Sequence, residues 1–227
     1  MVHFHATDQQ EEKDIRIQLG VREKQITLVP NLPQMKQGPF TEIVKKKNQI
    51  KIIFLARIHP IKNLHLLLQV LSNIQSKYSI HLNIYGVIED SQYWEQKCLP
   101  VINTLPDNIS VSSPKEIPHD KVHNLMTQNH LFALLTSGEN FGHSIFESFL
   151  AGRPVLISDQ TPWTNLEEKG IGLSLPLNNI DAFTQAIETF AVMDQEAFDL
   201  YAKRAWQFAD EYVNDPELVQ GYQKMFS

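Results

Sequence analysis

Short apolar runs alternate with stretches of helical periodicity through most of the chain. Ile50 to Ala56 is a mostly β-branched run of strand type, and Leu64, Leu67, Leu68 and Leu71 then recur at the spacing of a helix buried on one face. The pair of patterns repeats downstream. Ile80 to Tyr85 precedes a helix from Gln92 to Asn103, Ile109 to Val111 one from Asp120 to Gln128, and Leu131 to Leu135 one starting at His143. Pro154 to Ile157 then precedes a helix near Trp163 to Lys169, and Gly172 to Leu175 one from Asp181 to Val192. Strands and helices alternating at this period predict an α/β domain: a parallel sheet with helices on both faces. Right-handed crossovers bring the loops that follow the strands to one edge of that sheet.

The flanks read differently. Met1 to Leu19 predicts a short strand and a charged helix ending at Gly20, and Ile26 to Val29 a strand closed by Pro30-Asn31-Leu32-Pro33. Gly38, Pro39 and the lysine run mark a linker over residues 35–49, which sets residues 1–34 apart from the main domain at 50–192. Residues 193–227 form a helical tail with Tyr201, Ala205, Phe208, Tyr212, Leu218, Tyr222 and Phe226 on its apolar side, and Asn214-Asp215-Pro216 breaks it.

Chemistry concentrates after the strand at Leu131. Glu139 and Glu147 flank Asn140, Phe141, Gly142 and His143 where that strand turns into a helix. Such a turn presents unsatisfied amide N–H groups and a positive helix end, a setting for phosphate, while the two carboxylates suit sugar and ribose hydroxyls. Arg57 ends the strand that begins at Ile50, and Lys62 follows five residues later. Two such cations can converge on a diphosphate, Arg57 as a planar fork and Lys62 as a point charge. The helix dipole disfavours a lysine near a helix N-terminus, a cost that a bound anion relieves. Each pair taken alone also fits ordinary surface charge; together they describe a site for a molecule with both phosphates and hydroxyls.

Composition narrows the class. At 227 residues, 42% apolar and 20% charged, the chain can bury one sizeable core. A net charge of −6 argues against a nucleic-acid binder or a general binder of anionic membranes, and Lys45-Lys46-Lys47, the only basic run, reads as solvated linker. The single cysteine, Cys98, rules out an internal disulfide, reads as a buried thiol and fits a reducing, cytoplasmic setting. No apolar run is long enough to cross a membrane. The histidines do not form a metal pattern beyond the weak pair His3 and His5, so no metal is expected.

These residues resemble the carboxyl-terminal half of the family 4 (group 1) retaining glycosyltransferases of the two-domain GT-B fold. The family's donor site has a strand ending in Gly-Arg, a lysine five positions on, and an E-x7-E segment followed by Ala-Gly-x-Pro-Val. Here these stand as Arg57, Lys62, Glu139 to Glu147 and Ala151-Gly152-Arg153-Pro154-Val155, collinear from about Ile50 onward. Ala56 replaces the usual glycine before the arginine, Asn63 the one after the lysine, and the glycine-rich turn after the second strand is reduced to Gly86.

The resemblance implies a Rossmann-like donor domain whose C-terminal tail returns to a preceding acceptor domain, of which residues 1–34 would be the end. It implies that Arg57 and Lys62 neutralise the diphosphate and that Glu147 takes the ribose hydroxyls. Glu139 would hold the sugar near its reacting carbon, and the base would rest against Gly86 and the stretch Ser113, Pro114, Lys115 and Ile117. Thr161 is a further ligand candidate or equally a helix cap. The implied donor is a nucleotide sugar with no separate cofactor. The implied acceptor, a sugar or glycolipid of surface polysaccharide or glycoconjugate synthesis, would be held by the first domain, with peripheral membrane association of the whole enzyme at the inner face. A GT-B sugar epimerase and a silent nucleotide-binding module are the alternatives.

Overall fold

In the computed structural model the described residues are 2, 4–7, 9–29 and 38–225. The expected Pro30 to Pro33 turn, the first residues of the linker, His3 and Phe226 lie outside them.

The strands are β1 (Phe4–Ala6), β2 (Ile26–Leu28), β3 (Gln49–Leu55), β4 (Ser79–Tyr85), β5 (Ile109–Val111), β6 (Leu131–Leu134), β7 (Val155–Ser158) and β8 (Gly172–Leu175). The helices are α1 (Gln9–Leu19), α2 (Leu64–Ser72), α3 (Ser91–Tyr93), α4 (Leu99–Ile102), α5 (Val122–Thr127), α6 (His143–Leu150), α7 (Leu166–Lys169), α8 (Ile180–Val192), α9 (Gln195–Val213) and α10 (Pro216–Met225). Six strands form one wholly parallel sheet in the order β5-β4-β3-β6-β7-β8. This is the Rossmann-like α/β architecture that the alternation predicts.

Burial explains the strand compositions. β6 and β7 are buried at every position, because helices cover both sheet faces there, and they therefore read as unbroken apolar runs. β4 buries only Ile80, Leu82 and Ile84 and leaves His81, Asn83 and Tyr85 half-exposed, so it alternates. The order reverses between β3 and β6. Connections from these two strands leave in opposite directions, which opens a crevice beyond their carboxyl ends.

Two helix contacts frame that crevice. α2 lays Leu64, Leu67, Leu68 and Leu71 into the core, where it meets α8. α6 buries Ile145, Phe146, Phe149 and Leu150 and packs on α9, whose Ala202, Ala205 and Ala209 are also buried. Phe146, Phe149, Trp163, Phe208 and Tyr212 stack edge and face around that junction. Apart from the main sheet, β1 pairs with β2 in parallel across α1, and α10 lies against β2.

Several expectations need correction. The helix predicted from Trp163 starts only at Leu166, because Asn165 has left-handed backbone and Trp163 is drawn into the aromatic junction. The helix predicted over Gln92 to Asn103 is interrupted by a wide π-helical turn at Trp94–Cys98. Pro100 has no N–H to give to the carbonyl four residues back, and the wider turn absorbs that missing bond. Lys45 is not solvated. Its ammonium donates to the carbonyls of Lys46, Ala191 and Met193 at 2.9, 2.9 and 3.0 Å, capping the end of α8, and burial pulls the amine down to about 8.

The segment before β3 is bound to the body at other points. Arg153 is fully buried, and its guanidinium donates to Thr41 O, Thr127 O and Gly152 O, while Trp206 Nε1 donates to Gly38 O.

Candidate functional site

The crevice between β3 and β6 holds a cleft of about 450 Å³. Arg57, Lys62, Gly86, Ile117, Glu139, His143 and Glu147 all line it, contributed by the loops after β3, β4, β5 and β6 and by α6. Residues predicted from four separate stretches of sequence are thereby gathered at one edge.

Lys62 ends a single 3-10 turn, Pro60–Lys62, that follows β3. Its ammonium donates to Glu139 Oε1 at 2.5 Å, and both side chains are largely enclosed, 13% and 14% exposed. The loops that carry this pair are stitched to each other. Ser137 N and Thr136 Oγ1 donate to Ile61 O at 2.8 and 3.2 Å, and Asn63 Nδ2 donates to Leu135 O and to Ser137 Oγ. Asn63 has φ 49°, the left-handed region that asparagine tolerates better than other non-glycine residues.

Arg57 lies at the cleft mouth, and its Nη1 donates to both carboxylate oxygens of Glu89 at 2.6 and 2.8 Å. With Arg57 62% exposed, this ion pair is weak and easily exchanged for another anion. Gly86 has φ 136°, and a Cβ there would overlap the Ala56 carbonyl oxygen. The glycine therefore lets the loops after β3 and β4 close on each other.

Glu147, one turn into α6, is only 8% exposed. Its Oε1 accepts from His119 Nε2 at 2.9 Å. Burial raises its carboxyl above the ordinary carboxylate value, and the charges of His119 and His143 pull it back down. At the start of α6 the amides of His143 and Ser144 have no intrahelical acceptor, and both residues line the cleft.

Not every predicted residue reaches the wall. Asn140 is exposed and Phe141 is buried among aromatic rings, with its carbonyl accepting from Trp163 Nε1. Gly142 is buried as the left-handed cap of α6 (φ 77°). Ser113, Pro114 and Lys115 stand off the wall; the backbone of Lys115 bonds Ile84 O and Gly86 N and prolongs the sheet. Thr161 accepts from Trp163 N at 3.3 Å and caps a turn, not a helix.

The sequence reading missed Glu89, His119 and Ser144, and singled out the neighbours of Glu116 but not Glu116 itself. Of these, Ser144 was within reach of the helix-end argument, whereas the pairing of His119 with Glu147 joins residues that a strand and a helix separate. Among the described residues no group of three or more His, Cys, Asp or Glu side chains is placed to hold a metal ion.

A doubly wound parallel sheet with an ionic cleft at its reversal point defines an open α/β domain of the Rossmann-like type. The family described as glycosyl transferases group 1 matches residues 39–204, and the chain belongs to that family. Its fold is shared by solved structures of low sequence identity. TarM of S. aureus, solved with fondaparinux, α-GlcNAc-glycerol and UDP, superposes with a TM-score of 0.77 at 16% identity, over 100% of this chain and 44% of that one. WaaG, a glycosyltransferase involved in lipopolysaccharide biosynthesis, gives 0.71 at 12%, over 97% and 60% of the two chains. Anabaena HepE with UDP and glucose gives 0.68 at 18%, over 99% and 62%. The chain thus spans about half the length of these proteins. No curated protein sequence matches it significantly.

Proposed function

We propose that the chain is the nucleotide-sugar donor-binding half of a retaining glycosyltransferase acting in polysaccharide or glycoconjugate synthesis. The observation that carries this reading is the convergence of Arg57, Lys62, Glu139 and Glu147 on one cleft at the sheet's reversal point. Arg57 and Lys62 face the diphosphate and stabilise the charge that develops on the departing nucleotide, the electrostatic share of catalysis. The free amides at the start of α6 assist them. Glu147 accepts the ribose hydroxyls, and Glu139, already oriented by Lys62, holds the hydroxyls of the sugar. The base rests between Gly86 and Ile117. TarM and HepE, whose structures contain UDP, share the fold and support a diphosphate donor.

In this arrangement two cations and a helix end do the work that a divalent ion does elsewhere. Titration calorimetry with UDP, GDP and ADP and their sugar conjugates tests the proposal, and at least one should bind. Lys62→Ala should weaken binding by about 1 to 3 kcal/mol, the size of a charge-assisted hydrogen bond, and binding should persist in EDTA. Absence of heat with every nucleotide would overturn the reading, and loss of binding on chelation would overturn its metal-free form.

A further inference from the structure

His119 does something that neither the E-x7-E pattern nor the family match assigns. Glu147 is the one charged residue of the cleft wall that is buried, and a buried carboxylate needs partners for its oxygens. Among the described residues Oε1 has one partner, His119 Nε2, and Oε2 has none. The bond joins two walls. His119 belongs to the turn before α5, whereas Glu147 belongs to α6, and α5 packs on α6. The ring itself is 68% exposed, so burial does not hold it in place. A solvent-exposed imidazole whose one bond reaches a buried carboxylate acts as a clamp.

We infer that His119 is a positioning residue of the ribose subsite: it occupies Oε1 of Glu147 and so presents Oε2 to the vicinal hydroxyls of a bound nucleotide. This rests on the donor-site reading above. The other charges facing this pair are His143 on α6, Glu116 on the loop that carries His119, and Arg57, Lys62 and Glu139 across the cleft. Arg57 and Lys62 pair with Glu89 and Glu139, and His119 is the side chain bonded to Glu147.

The experiment compares a nucleoside diphosphate that binds the wild-type chain with its 2′,3′-dideoxy form, on wild type, His119→Ala and His119→Gln. His119→Ala should weaken the ribonucleotide roughly five- to tenfold, the size of one hydrogen bond, and leave the dideoxynucleotide unchanged. His119→Gln keeps an N–H donor and should recover most of the loss. An equal loss for both nucleotides, or no loss for either, would overturn this inference alone. Failure of every nucleotide to bind the wild-type chain would overturn the donor-site reading and this inference with it.

Discussion

Glu147 is held where a carboxylate is expensive to ionise. Because burial raises its pKa in the folded chain, the folded state binds its proton more tightly than the unfolded state does. Stability therefore falls as pH rises from the ordinary carboxylate range through the raised folded value, and it stays reduced above that value. Glu147→Gln should remove this penalty. Its melting temperature should exceed that of wild type at neutral pH, by about 2 to 4 °C for each kcal/mol recovered, and the gap should close in acid. Nucleoside binding should weaken in the same variant, a trade of function for stability. Thermal melts across pH beside calorimetry check both halves, and a variant that melts lower than wild type at pH 7 would refute the penalty. The sequence marks this glutamate as a candidate by its spacing from Glu139, its place at a helix end and the cations upstream. Its burial and its histidine partner depend on how α5 and α6 pack, which spacing does not encode.

At the scale of elements, the loops after β3 and β6 behave as one unit because Asn63 and Ile61 bind them together. The family usually has glycine where this chain has Asn63, and asparagine supplies the left-handed backbone while adding two amide bonds to the facing loop. Asn63→Gly should keep the turn and lose those bonds, destabilising by about 1 to 3 kcal/mol. Asn63→Ala should lose the bonds and strain the turn as well, by about 1 to 2 kcal/mol more. Urea unfolding of the pair measures the difference, and equal losses would show that backbone conformation contributes nothing there. The loops' mutual bonding was not legible in the sequence, since every bond in it crosses more than seventy residues. The elements themselves were: β5 and β8 fall on the predicted residues, and the other strands of the main sheet differ by one residue at one or both ends. The late start of α7 and the π-helical turn were missed for local reasons, a left-handed asparagine and a proline, that apolar periodicity does not report.

For the molecule as a whole, the alternation of patterns was enough to give the parallel sheet, and the order of its strands places the charged loops together without further information. On the proposed reading, what this chain provides is a donor site. Retaining transfer also needs an acceptor hydroxyl held against the sugar, and such placement accounts for up to roughly 7 to 11 kcal/mol of rate enhancement in favourable cases. The chain should therefore bind donor and at most hydrolyse it slowly, with transfer appearing only when an acceptor-binding half is added in the same chain or as a second fragment. Robust transfer to a defined acceptor by residues 1–227 alone would refute this division of labour. Exchange of donor halves between related enzymes would have to respect one more feature. Arg153 gives one of its three hydrogen bonds to Thr41, and Lys45 closes the end of α8, so residues 38–48 are bound to the same body as β3. A graft that begins at Gln49 would cost the buried guanidinium one of its three acceptors and uncap a helix. The chimaera's natural seam lies upstream of Gly38.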